Sequence, residues 1–371
     1  MPYFGSDILL HAAKAAVLNS RQSKFPLGTD RWVQATAEAM AHLQRQGLVL
    51  LTSLEMNTWE LTLAYASHRQ LDTLIVMPEP ADDPEAIAAA VLEGFRLSPQ
   101  RTGFLYPDEK TPDGKKGWPD RDSRIIELAA LILPVSIRPD GSLARLLAGY
   151  HGEIDQNFSV PYDASHRSRP RYDNRIVDPA VWPLDLMVHF TRSCPTPWPK
   201  EPLLDFYDAL IASTTEWCRS ARNGLLNIMR TGTIFASSRH IHGGFRIVAF
   251  SSLTESNLRR LFRYRPRLVN PGLEPYGIAI SREAAIDLGL KPVQYGLPDD
   301  FDRLDEATQP YFQHQGSHDA QWRQEQEWRF VGDLHLKDIP RDLIRVVAPT
   351  SSEAEAMRSW SPYEVVHLFA S

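Results

Sequence analysis

Between residues 31 and 137 the chain alternates helical patterns with short apolar runs, and this alternation restricts its fold strongly. Alternation of this kind produces right-handed βαβ units and a mainly parallel sheet. In open sheets of this type, ligands bind beyond the carboxyl ends of the strands. We therefore predict an α/β first domain with a Rossmann-like, mainly parallel sheet. The predicted helices are 31–46, 55–70, 81–95 and 121–130, and the predicted strands are 47–53, 71–77, 102–106 and 131–137.

The pattern is lost in the middle of the chain, and a length of 371 residues is sufficient for two domains. A basic, proline-containing stretch at 165–175 is typical of a linker. Beyond Trp182, short strands at irregular spacing alternate with helical segments such as 202–230, which favours an α+β domain. The predicted division is a first domain at 1–160, a basic linker at 161–183 and a second domain at 184–371.

The composition limits the class of partner and the compartment. A net charge of -6 argues against a surface that generally coats nucleic acid or membrane, while local basic patches are compatible with it. Cys194 and Cys218 are too few for a disulfide framework or a cysteine-rich zinc site. The N-terminal residues lack the features of a signal peptide, and no apolar run is long enough to span a bilayer. We therefore expect a soluble cytoplasmic protein.

Three segments of the first domain have the character of polar loops where parallel strands should end, and each precedes a helical pattern. A helix N-terminus carries free N–H groups and partial positive charge, so it favours a phosphate group. Nearby arginines can add charge-assisted hydrogen bonds. Small polar residues at such positions also serve simply as helix caps, which is the alternative interpretation. The candidate nucleotide-binding residues are Ser53, Asn57, Arg121, Arg124, Gly141 and Ser142.

In their order, the segments 47–61, 118–133 and 136–147 resemble the SLOG superfamily of Rossmann-like nucleotide-binding domains. That superfamily includes the DNA processing protein A family and the cytokinin-activating phosphoribohydrolases. The resemblance implies a nucleotide or a nucleotide-derived ligand. The phosphoribohydrolases carry a Pro-Gly-Gly-x-Gly-Thr-x-x-Glu motif after the last of these strands, whereas this chain has only Pro139 to Ser142 there. This departure speaks against hydrolase chemistry in the first domain.

Aromatic and charged residues alternate with a period of two from Trp322 to Val331, which predicts a β-strand. The alternation places Glu325 and Glu327 side by side on one face, flanked by Arg323 and Arg329. One interpretation is a surface ladder of charge pairs. The other is a catalytic carboxylate with a helper, in which the two arginines allow both carboxylates to stay ionised.

Three further motifs precede this strand in the second half of the chain. His189 and Thr191 share one face of a predicted strand, where an imidazole and a hydroxyl can hold a ribose hydroxyl and an amide. Ser251 ends an apolar strand that contains Phe-Ser, where a hydroxyl can orient a carboxylate. Tyr276 precedes Gly277 at the start of another apolar strand.

In this order the motifs resemble those of ADP-ribosyltransferases, above all the DarT family of nucleic-acid-modifying toxins. The resemblance covers roughly residues 184–335 and implies NAD as the cofactor. It implies that the His-x-Thr pair holds the nicotinamide ribose and the nicotinamide, that Glu327 is the catalytic carboxylate and that Glu325 is its helper. For the family's arginine or tyrosine positions the resemblance implies Tyr276 and Arg246, whereas the family's long NAD-binding loop has no clear counterpart here. The candidate NAD contacts are His189, Thr191, Ser251 and Tyr276.

Residues 259–267 interleave five arginines with Phe262 and Tyr264. This composition suits a diphosphate or a nucleic-acid backbone, with the two rings available for base stacking. The alternative is a solvated helix face whose arginines pair with nearby carboxylates. The histidines of this half of the chain lack a familiar ligand spacing, so no metal site is expected. The candidate phosphate contacts are Arg259, Arg260, Arg263 and Arg265.

The two domains together predict an ADP-ribosyltransferase-like effector, or an NAD glycohydrolase, coupled to a nucleotide-sensing domain. By analogy, such a layout suggests bacterial antiphage defence or toxicity. DNA or RNA is a candidate partner, a membrane partner is not expected, and a homo-oligomer is compatible with the sequence. Two alternatives remain open. One is a non-catalytic protein that binds nucleotide or nucleic acid, and the other is an enzyme that modifies nucleic-acid bases without NAD.

Overall fold

The computed structural model describes residues 3–107, 116–163, 186–239, 241–252, 262, 264–265, 270–271, 273–314 and 326–369. The chain divides into two compact units, of which the first is Met1–Arg167 with Pro195–Cys218 and the second is Ser168–Cys194 with Arg219–Ser371. The sequence-based division placed all of 184–371 in one domain, but the structure groups Pro195–Cys218 with the first unit. Most of the predicted linker lies outside the described residues.

A seven-stranded sheet forms the centre of the first unit. Its strands are β1 (Tyr3–Phe4), β2 (Lys14–Asn19), β3 (Val49–Thr52), β4 (Thr73–Val76), β5 (Thr102–Leu105), β6 (Leu131–Ser136) and β7 (Glu153–Ile154). Their order in the sheet is β1-β5-β4-β3-β2-β6-β7. The short edge strand β1 is antiparallel to β5, and the other pairs are parallel. All residues of β2 to β6 are buried, as strands covered by helices on both faces must be.

The described residues of this unit form seven helices, and those predicted from the sequence are confirmed to within a few residues. Gly47 ends the second helix with a φ of 62°, a conformation in which glycine avoids the steric cost of a Cβ atom. The predicted mainly parallel α/β fold is therefore observed. The helices are α1 (Asp7–His11), α2 (Arg31–Gln46), α3 (Asn57–Arg69), α4 (Pro84–Phe95), α5 (Trp118–Leu128), α6 (Ser142–Ala148) and α7 (Leu203–Ala212).

The central strand β2 was not predicted from the sequence. Its residues include two alanines, which favour helices by intrinsic propensity, and it follows the short helix α1 directly. Tertiary packing overrides this propensity, because small side chains fit a strand that lies between β3 and β6. The strand order reverses at this strand, since β3 to β5 lie on one side of it and β6 and β7 on the other.

The second unit contains a mixed sheet of seven strands in the order β14-β17-β10-β8-β13-β19-β20. Its neighbouring strands are antiparallel except for the last pair, which is parallel. These strands are β8 (Leu186–Phe190), β10 (Ile247–Ser251), β13 (Gly277–Ser281), β14 (Lys291–Pro292), β17 (Glu327–Val331), β19 (Ile344–Ala348) and β20 (Glu364–His367). Shorter strands form separate pairs: β9 (Thr233–Ile234) with β18 (Leu334–His335), β11 (Tyr264–Arg265) with β12 (Asn270–Pro271), and β15 (Gln294–Gly296) with β16 (Phe312–His314).

Helices accompany this sheet, which confirms the predicted α+β character of the second unit. They are α8 (Ala221–Thr231), α9 (Arg282–Asp287), α10 (Pro298–Phe301) and α11 (Ser351–Arg358). The helical stretch predicted at 202–230 is two helices, because α7 ends before Ser213 and α8 begins after Ser220, whose hydroxyl caps it. Within the described ranges, no helix is both long and apolar enough to cross a membrane.

Candidate functional site

Four motifs that are far apart in the sequence lie on four neighbouring strands of the second unit. The strands β17, β10, β8 and β13 follow one another in the sheet, and they carry Glu327, Ser251, His189 and Gly277 respectively. Ser251 pairs with Glu327 on one side and with Val188 on the other. The four motifs, which are distant in the sequence, therefore lie on adjacent strands of one sheet.

Glu327 and Ser251 form the most compact part of this group of motifs. Directly opposed residues of an antiparallel pair point to the same face, with Cβ atoms roughly 4.5–5.5 Å apart. Ser251 is 8% exposed, and the Glu327 side chain is 10% exposed. Glu327 Oε1 accepts a hydrogen bond of 2.8 Å from Arg329 Nε. The pair thus places a hydroxyl beside an ionisable carboxylate in a largely enclosed position.

The two faces predicted for the strand around Glu327 are confirmed over its described part. Trp328 and Phe330 pack against the hydrophobic core, whereas Glu327 and Arg329 bond to each other on the opposite face. Glu325 and Arg323 lie outside the described residues, so the helper role of Glu325 stays a prediction. Gln326, just before the strand, has a φ of 44°, which is uncommon for a residue other than glycine.

His189 lies on β8, which is separated from the strand of Glu327 by β10, and it points to the other face of the sheet. It pairs with Ile278, a member of the core cluster that also contains Phe250, and its ring lies 5.8 Å from the ring of Phe250. Because Val188 is the residue in register with Ser251 and Glu327, the pleat directs His189 away from Glu327. The structure therefore does not bring these two predicted NAD contacts onto one face.

The protonation state of His189 is set by its surroundings. Its Nδ1 lies 2.9 Å from the carbonyl oxygen of Ala249. Burial, with a smaller effect from nearby Arg192, lowers the pKa of His189 to about 4. The imidazole is therefore neutral near pH 7, with Nδ1–H donating to Ala249 and Nε2 left as an acceptor. A neutral Nε2 can accept a hydrogen bond from a sugar hydroxyl.

Thr191 and Tyr276 lie together, but at the end of the sheet away from Glu327. The Thr191 hydroxyl lies 2.7 Å from the carbonyl oxygen of Ala221 and 3.0 Å from that of Tyr276, so it contributes to the local scaffold. Gly277 is required here, because a Cβ atom at this position would lie 2.4 Å from the carbonyl oxygen of His189. The Tyr-Gly motif therefore has a packing function, since it lets β13 approach β8.

Arg282 was missed by the sequence analysis, although it lies with Ser252 at the Glu327 end of the sheet. An Arg282 Nη2 group donates to the hydroxyl of Ser252, and the Ser252 amide donates to the carbonyl oxygen of Gln326 at 3.1 Å. The Arg282 guanidinium also lies 5.9 Å from the ring centroid of Trp328. The doubled serine after Phe250 was a visible signal, whereas nothing in the sequence connected it with Arg282.

The basic segment contributes little that the structure describes. Phe262, which was expected to be available for base stacking, is 2% exposed and contacts the rings of Phe190 and Phe369, so that expectation is wrong. Its ring supplies core packing. Arg265 lies in β11, and nothing is described of its side chain. The remaining candidate phosphate contacts, Arg259, Arg260 and Arg263, lie outside the described residues.

In the first unit, Ser53, Asn57 and Arg121 come together around the loop that follows β3. The Ser53 hydroxyl donates to the carbonyl oxygen of Val76 at 2.6 Å, and Asn57 Nδ2 donates to that of Ser23 at 3.0 Å. Arg121 is 3% exposed, and its Nη1 donates to the carbonyl oxygen of Leu54 at 3.3 Å. These three side chains therefore support the loop with bonds to its own and neighbouring backbone.

Arg121 is further committed to structural partners. Its Nε and Nη2 donate to Asp122, at 2.9 and 2.7 Å, and its guanidinium lies near the rings of Trp59 and Trp118. Burial raises the pKa of the Asp122 carboxyl, while the charge and hydrogen bonds of Arg121 act in the opposite direction. Arg124, one turn further along α5, bonds to Glu127 on the surface.

Gly141 and Ser142 mark the start of α6, at the carboxyl end of β6. Gly141 precedes the helix with an extended backbone, and Ser142 is its first residue. The helix has seven residues, so its terminal dipole is small. Arg138 forms a surface ion pair with Asp140 nearby. The structure places both residues at the expected edge of the sheet.

Asn19 is a further polar residue at this edge that the sequence analysis missed, because β2 itself was missed. It ends β2, next to β6, where the strand order reverses. Asn19 is 2% exposed, and its Nδ2 donates to the Thr36 hydroxyl at 3.0 Å. Its Oδ1 has no hydrogen-bond partner within the described part of the chain. Beside it, Ser20 accepts a bond of 2.9 Å from the Arg138 amide.

No protein-family description matches the sequence, and no curated protein matches it. Two solved structures of DNA processing protein A show similarity to this structure. The protein from Streptococcus pneumoniae is 16% identical with a TM-score of 0.33, over 41% of this chain and 52% of that chain. The protein from Helicobacter pylori, described with a single-stranded DNA binding mode, is 18% identical with a TM-score of 0.32, over 41% of this chain and 68% of that chain. The match thus spans about half the length of the Streptococcus protein.

Among the described residues, no group of three or more histidine, cysteine, aspartate or glutamate side chains could hold a metal ion.

Proposed function

We propose that the second unit is an NAD-dependent ADP-ribosyltransferase or NAD glycohydrolase whose reaction centre is Glu327. The observation that supports this most strongly is the adjacency of the four motif strands, with Glu327 in register with Ser251. An order of motifs along a sequence can arise by chance. Their placement on the adjacent strands β17, β10, β8 and β13 is an independent property of the fold, and it brings Ser251 onto the same face as Glu327.

The proposed reaction breaks the glycosidic bond between C1′ of the ribose and the nicotinamide nitrogen. The bonding electron pair leaves with nicotinamide, and positive charge develops on the sugar. A fixed carboxylate such as that of Glu327 stabilises this charge. Water or an acceptor group then adds its oxygen or nitrogen to C1′ and loses a proton to a base. In this scheme Ser251 orients the carboxylate or the ribose hydroxyl from the neighbouring strand.

The proposal is tested by nicotinamide release from NAD, measured with and without nucleic-acid and protein acceptors. Replacing Glu327 with glutamine should lower kcat by about 10²–10³, the usual effect of removing one group that stabilises transition-state charge. The matched control is Glu364→Gln, which alters a glutamate on the far edge strand of the same sheet. If neither the wild type nor Glu327→Gln releases nicotinamide from NAD with any acceptor, the transferase proposal is refuted.

The placement of His189 and Glu327 on opposite faces favours a second candidate, which is a protein that binds nucleotide or nucleic acid without turning it over. In that case Glu327 serves only as the partner of buried Arg329. The same assay separates the two candidates, because a binding protein would show NAD affinity by titration calorimetry without nicotinamide release. Mass spectrometry of nucleic acid from expressing cells tests the remaining alternative, since a base-sized mass change without added ADP-ribose would indicate base modification.

For the first unit we propose a nucleotide or nucleotide-derived ligand at the carboxyl edge of the parallel sheet, where the strand order reverses between β2 and β6. Ligands of doubly wound sheets bind at such reversals. The unbonded Oδ1 of buried Asn19 also indicates that this edge is completed by a group from outside the described chain. Calorimetric titration with AMP and ADP tests this. Asn19→Ala should weaken binding by tenfold or more, whereas Asn157→Ala, an exposed change in the same unit, should leave it unchanged.

Taken together, the proposed function is an effector that modifies or consumes NAD and carries a nucleotide-binding unit. DNA or RNA is the acceptor that we propose for the transferase activity. A role in bacterial antiphage defence or toxicity is the proposed biological context, and it would appear experimentally as growth arrest on expression that depends on Glu327.

A further inference from the structure

Arg329 is an arginine in the second unit that is enclosed on all sides. Its exposed fraction is 0%, which places it among the largest fully buried side chains of the protein. Its Nη1 donates to the carbonyl oxygens of Pro310, at 3.0 Å, and Phe312, at 2.7 Å. Its Nη2 donates to Oε1 of Gln313 at 2.6 Å, and its Nε donates to Glu327 at 2.8 Å. Four hydrogen bonds therefore fix the guanidinium in one orientation.

A guanidinium in such a position remains charged, because arginine does not lose its proton in proteins. A buried charge needs a partner of opposite sign. Among the described residues, Glu327 is the carboxylate that Arg329 bonds. The two carbonyl oxygens and Gln313 bind the other side of the guanidinium, so Arg329 links the 310–313 segment to the strand that carries Glu327.

The two oxygens of Glu327 are consequently not equivalent. Oε1 is held by Arg329 Nε, whereas Oε2 accepts no hydrogen bond from the residues that the structure describes. We propose that Arg329 is a positioning residue, which fixes Oε1 and thereby presents Oε2 to the ribose at the reaction centre. This inference rests on the proposed NAD chemistry of Glu327, and it adds the residue that sets the orientation of its carboxylate.

The choice of arginine follows from this geometry. The planar fork of arginine offers five N–H donors in fixed directions, and four of them are used here. A lysine ammonium carries the same charge but has three donors around a single nitrogen atom, so it cannot contact the same four oxygens simultaneously. Arg329→Lys therefore keeps the positive charge but no longer fixes the orientation of the Glu327 carboxylate. This variant separates the effect of charge from the effect of orientation.

The experiment compares NAD turnover of full-length wild type, Arg329→Lys and Glu327→Gln. The matched control is Arg345→Lys, which alters an Arg–Glu pair of 2.9 Å across β19 and β20 of the same sheet. Turnover is expressed per NAD-binding site counted by calorimetry, so that loss of folded protein does not imitate loss of rate. Arg329→Lys should lower kcat by tenfold or more with little change in KM, and Arg345→Lys should change neither. In a Glu327→Gln background, Arg329→Lys should cause no further fall in kcat.

The possible failures are distinguishable. If wild type releases no nicotinamide, the proposed function fails, and the role of Arg329 fails with it. If wild type is active and Arg329→Lys retains its kcat per binding site, the role of Arg329 is overturned while the proposed function stands. Gln313→Leu serves where Arg329→Lys does not fold, because it removes one anchor of the guanidinium from a half-buried position. It should lower kcat twofold to tenfold, and an unchanged kcat would again overturn the inference.

Discussion

His189 shows how the fold changes the chemistry of a single residue. From the sequence it is one of twelve histidines, marked only by its spacing from Thr191. In the structure, burial keeps it a neutral imidazole, and its contact with the Ala249 carbonyl defines the tautomer. The residue type was predictable as a polar contact, but the tautomer and the face on which it lies were not, because both depend on β10 and β13.

His189 also makes the stability of the second unit depend on pH. Its folded pKa of about 4 is below the ordinary value of 6.5, so the unfolded state binds more protons between these values. The stability contribution of the neutral imidazole is therefore present above pH 6.5 and is lost as the pH falls toward 4. Between pH 7.5 and pH 5 we expect a loss of about 2 kcal/mol from this group.

Urea unfolding of wild type and His189→Asn at the two pH values measures this contribution. Asparagine can still donate to the Ala249 carbonyl but does not titrate, and the comparison cancels the other groups of the protein. The free energy of unfolding of wild type should fall more steeply toward pH 5 than that of the variant. Parallel curves would contradict the assigned protonation state of His189.

At the scale of elements, the close approach of β13 to β8 depends on one glycine. A Cβ atom at position 277 would lie 2.4 Å from a backbone oxygen of β8, and a backbone atom cannot move aside as a side chain can. Gly277→Ala should therefore destabilise the second unit by about 1–3 kcal/mol or more, as overpacking does.

Gly224→Ala is the matched control for this change. Gly224 lies inside α8, and its added Cβ would meet Thr191 side-chain atoms at 3.6 and 3.8 Å, which is ordinary contact. Because alanine favours a helix by about 0.5–1 kcal/mol over glycine, this variant should be neutral or more stable. Thermal unfolding of the two variants checks the pair, and equal destabilisation would show that the site at β13 has no special constraint.

Helix α7 is held on the first unit by a buried polar pair. The Tyr207 hydroxyl donates to Glu60 Oε2 at 2.7 Å, and Tyr207 is 1% exposed. Burial raises the pKa of Glu60, and the hydrogen bond from Tyr207 opposes that rise. A raised folded pKa means that stability is lost as the pH rises above the ordinary value of the carboxyl group. The Tyr207 bond limits this loss.

Tyr207→Phe should therefore destabilise the first unit by about 1–3 kcal/mol near pH 7, because a buried acceptor loses its donor. The deficit should shrink toward pH 4, where Glu60 is protonated. Tyr65→Phe is the control, since Tyr65 lies on the same helix as Glu60 and its hydroxyl makes no hydrogen bond to a described residue. Chemical denaturation at both pH values tests the prediction, and a deficit that is the same for both variants would refute it.

The secondary structure elements that could be predicted are those with strong local periodicity. The strands Leu186–Phe190 and Glu327–Val331 were visible because apolar or alternating patterns fill them. The strand Lys14–Asn19 was not, since its small residues carry no such pattern and its position depends on two neighbouring strands. Likewise, Glu327 was identified from its motif, whereas Arg282 and Ser252 meet only through folding.

At the scale of the whole molecule, the chain combines a parallel α/β unit with an α+β unit, and chain order does not separate them completely. Pro195–Cys218 lies between β8 and α8 in sequence but belongs to the first unit. A boundary drawn from composition could not show that Pro195–Cys218 belongs to the first unit, because the packing partners of α7 are residues such as Glu60, which are far away in the sequence. Truncation at residue 183 would therefore remove contacts from the first unit.

Because Pro195–Cys218 belongs to the first unit, a fragment without it should be less stable than the first unit of the full chain. A fragment that ends near residue 160 lacks α7, so the buried face of the first unit that contacts Leu204, Tyr207 and Leu210 would be exposed. We expect such a fragment to be less stable than the full chain by several kcal/mol, since each large apolar side chain contributes roughly 1.5–3 kcal/mol on burial. Comparison of the urea midpoints of the fragment and of the first transition of the full chain measures this, and equal midpoints would contradict it.

A crystal structure of Glu327→Gln with bound NAD tests whether Glu327 marks the reaction centre for NAD. The glutamine side chain has nearly the shape of glutamate and should slow turnover enough to retain the intact dinucleotide. The nicotinamide ribose should lie within hydrogen-bonding distance of residue 327, beside Ser251, with Arg329 still bonded to the side chain of residue 327. A dinucleotide bound elsewhere in the protein, with position 327 unoccupied, would contradict it.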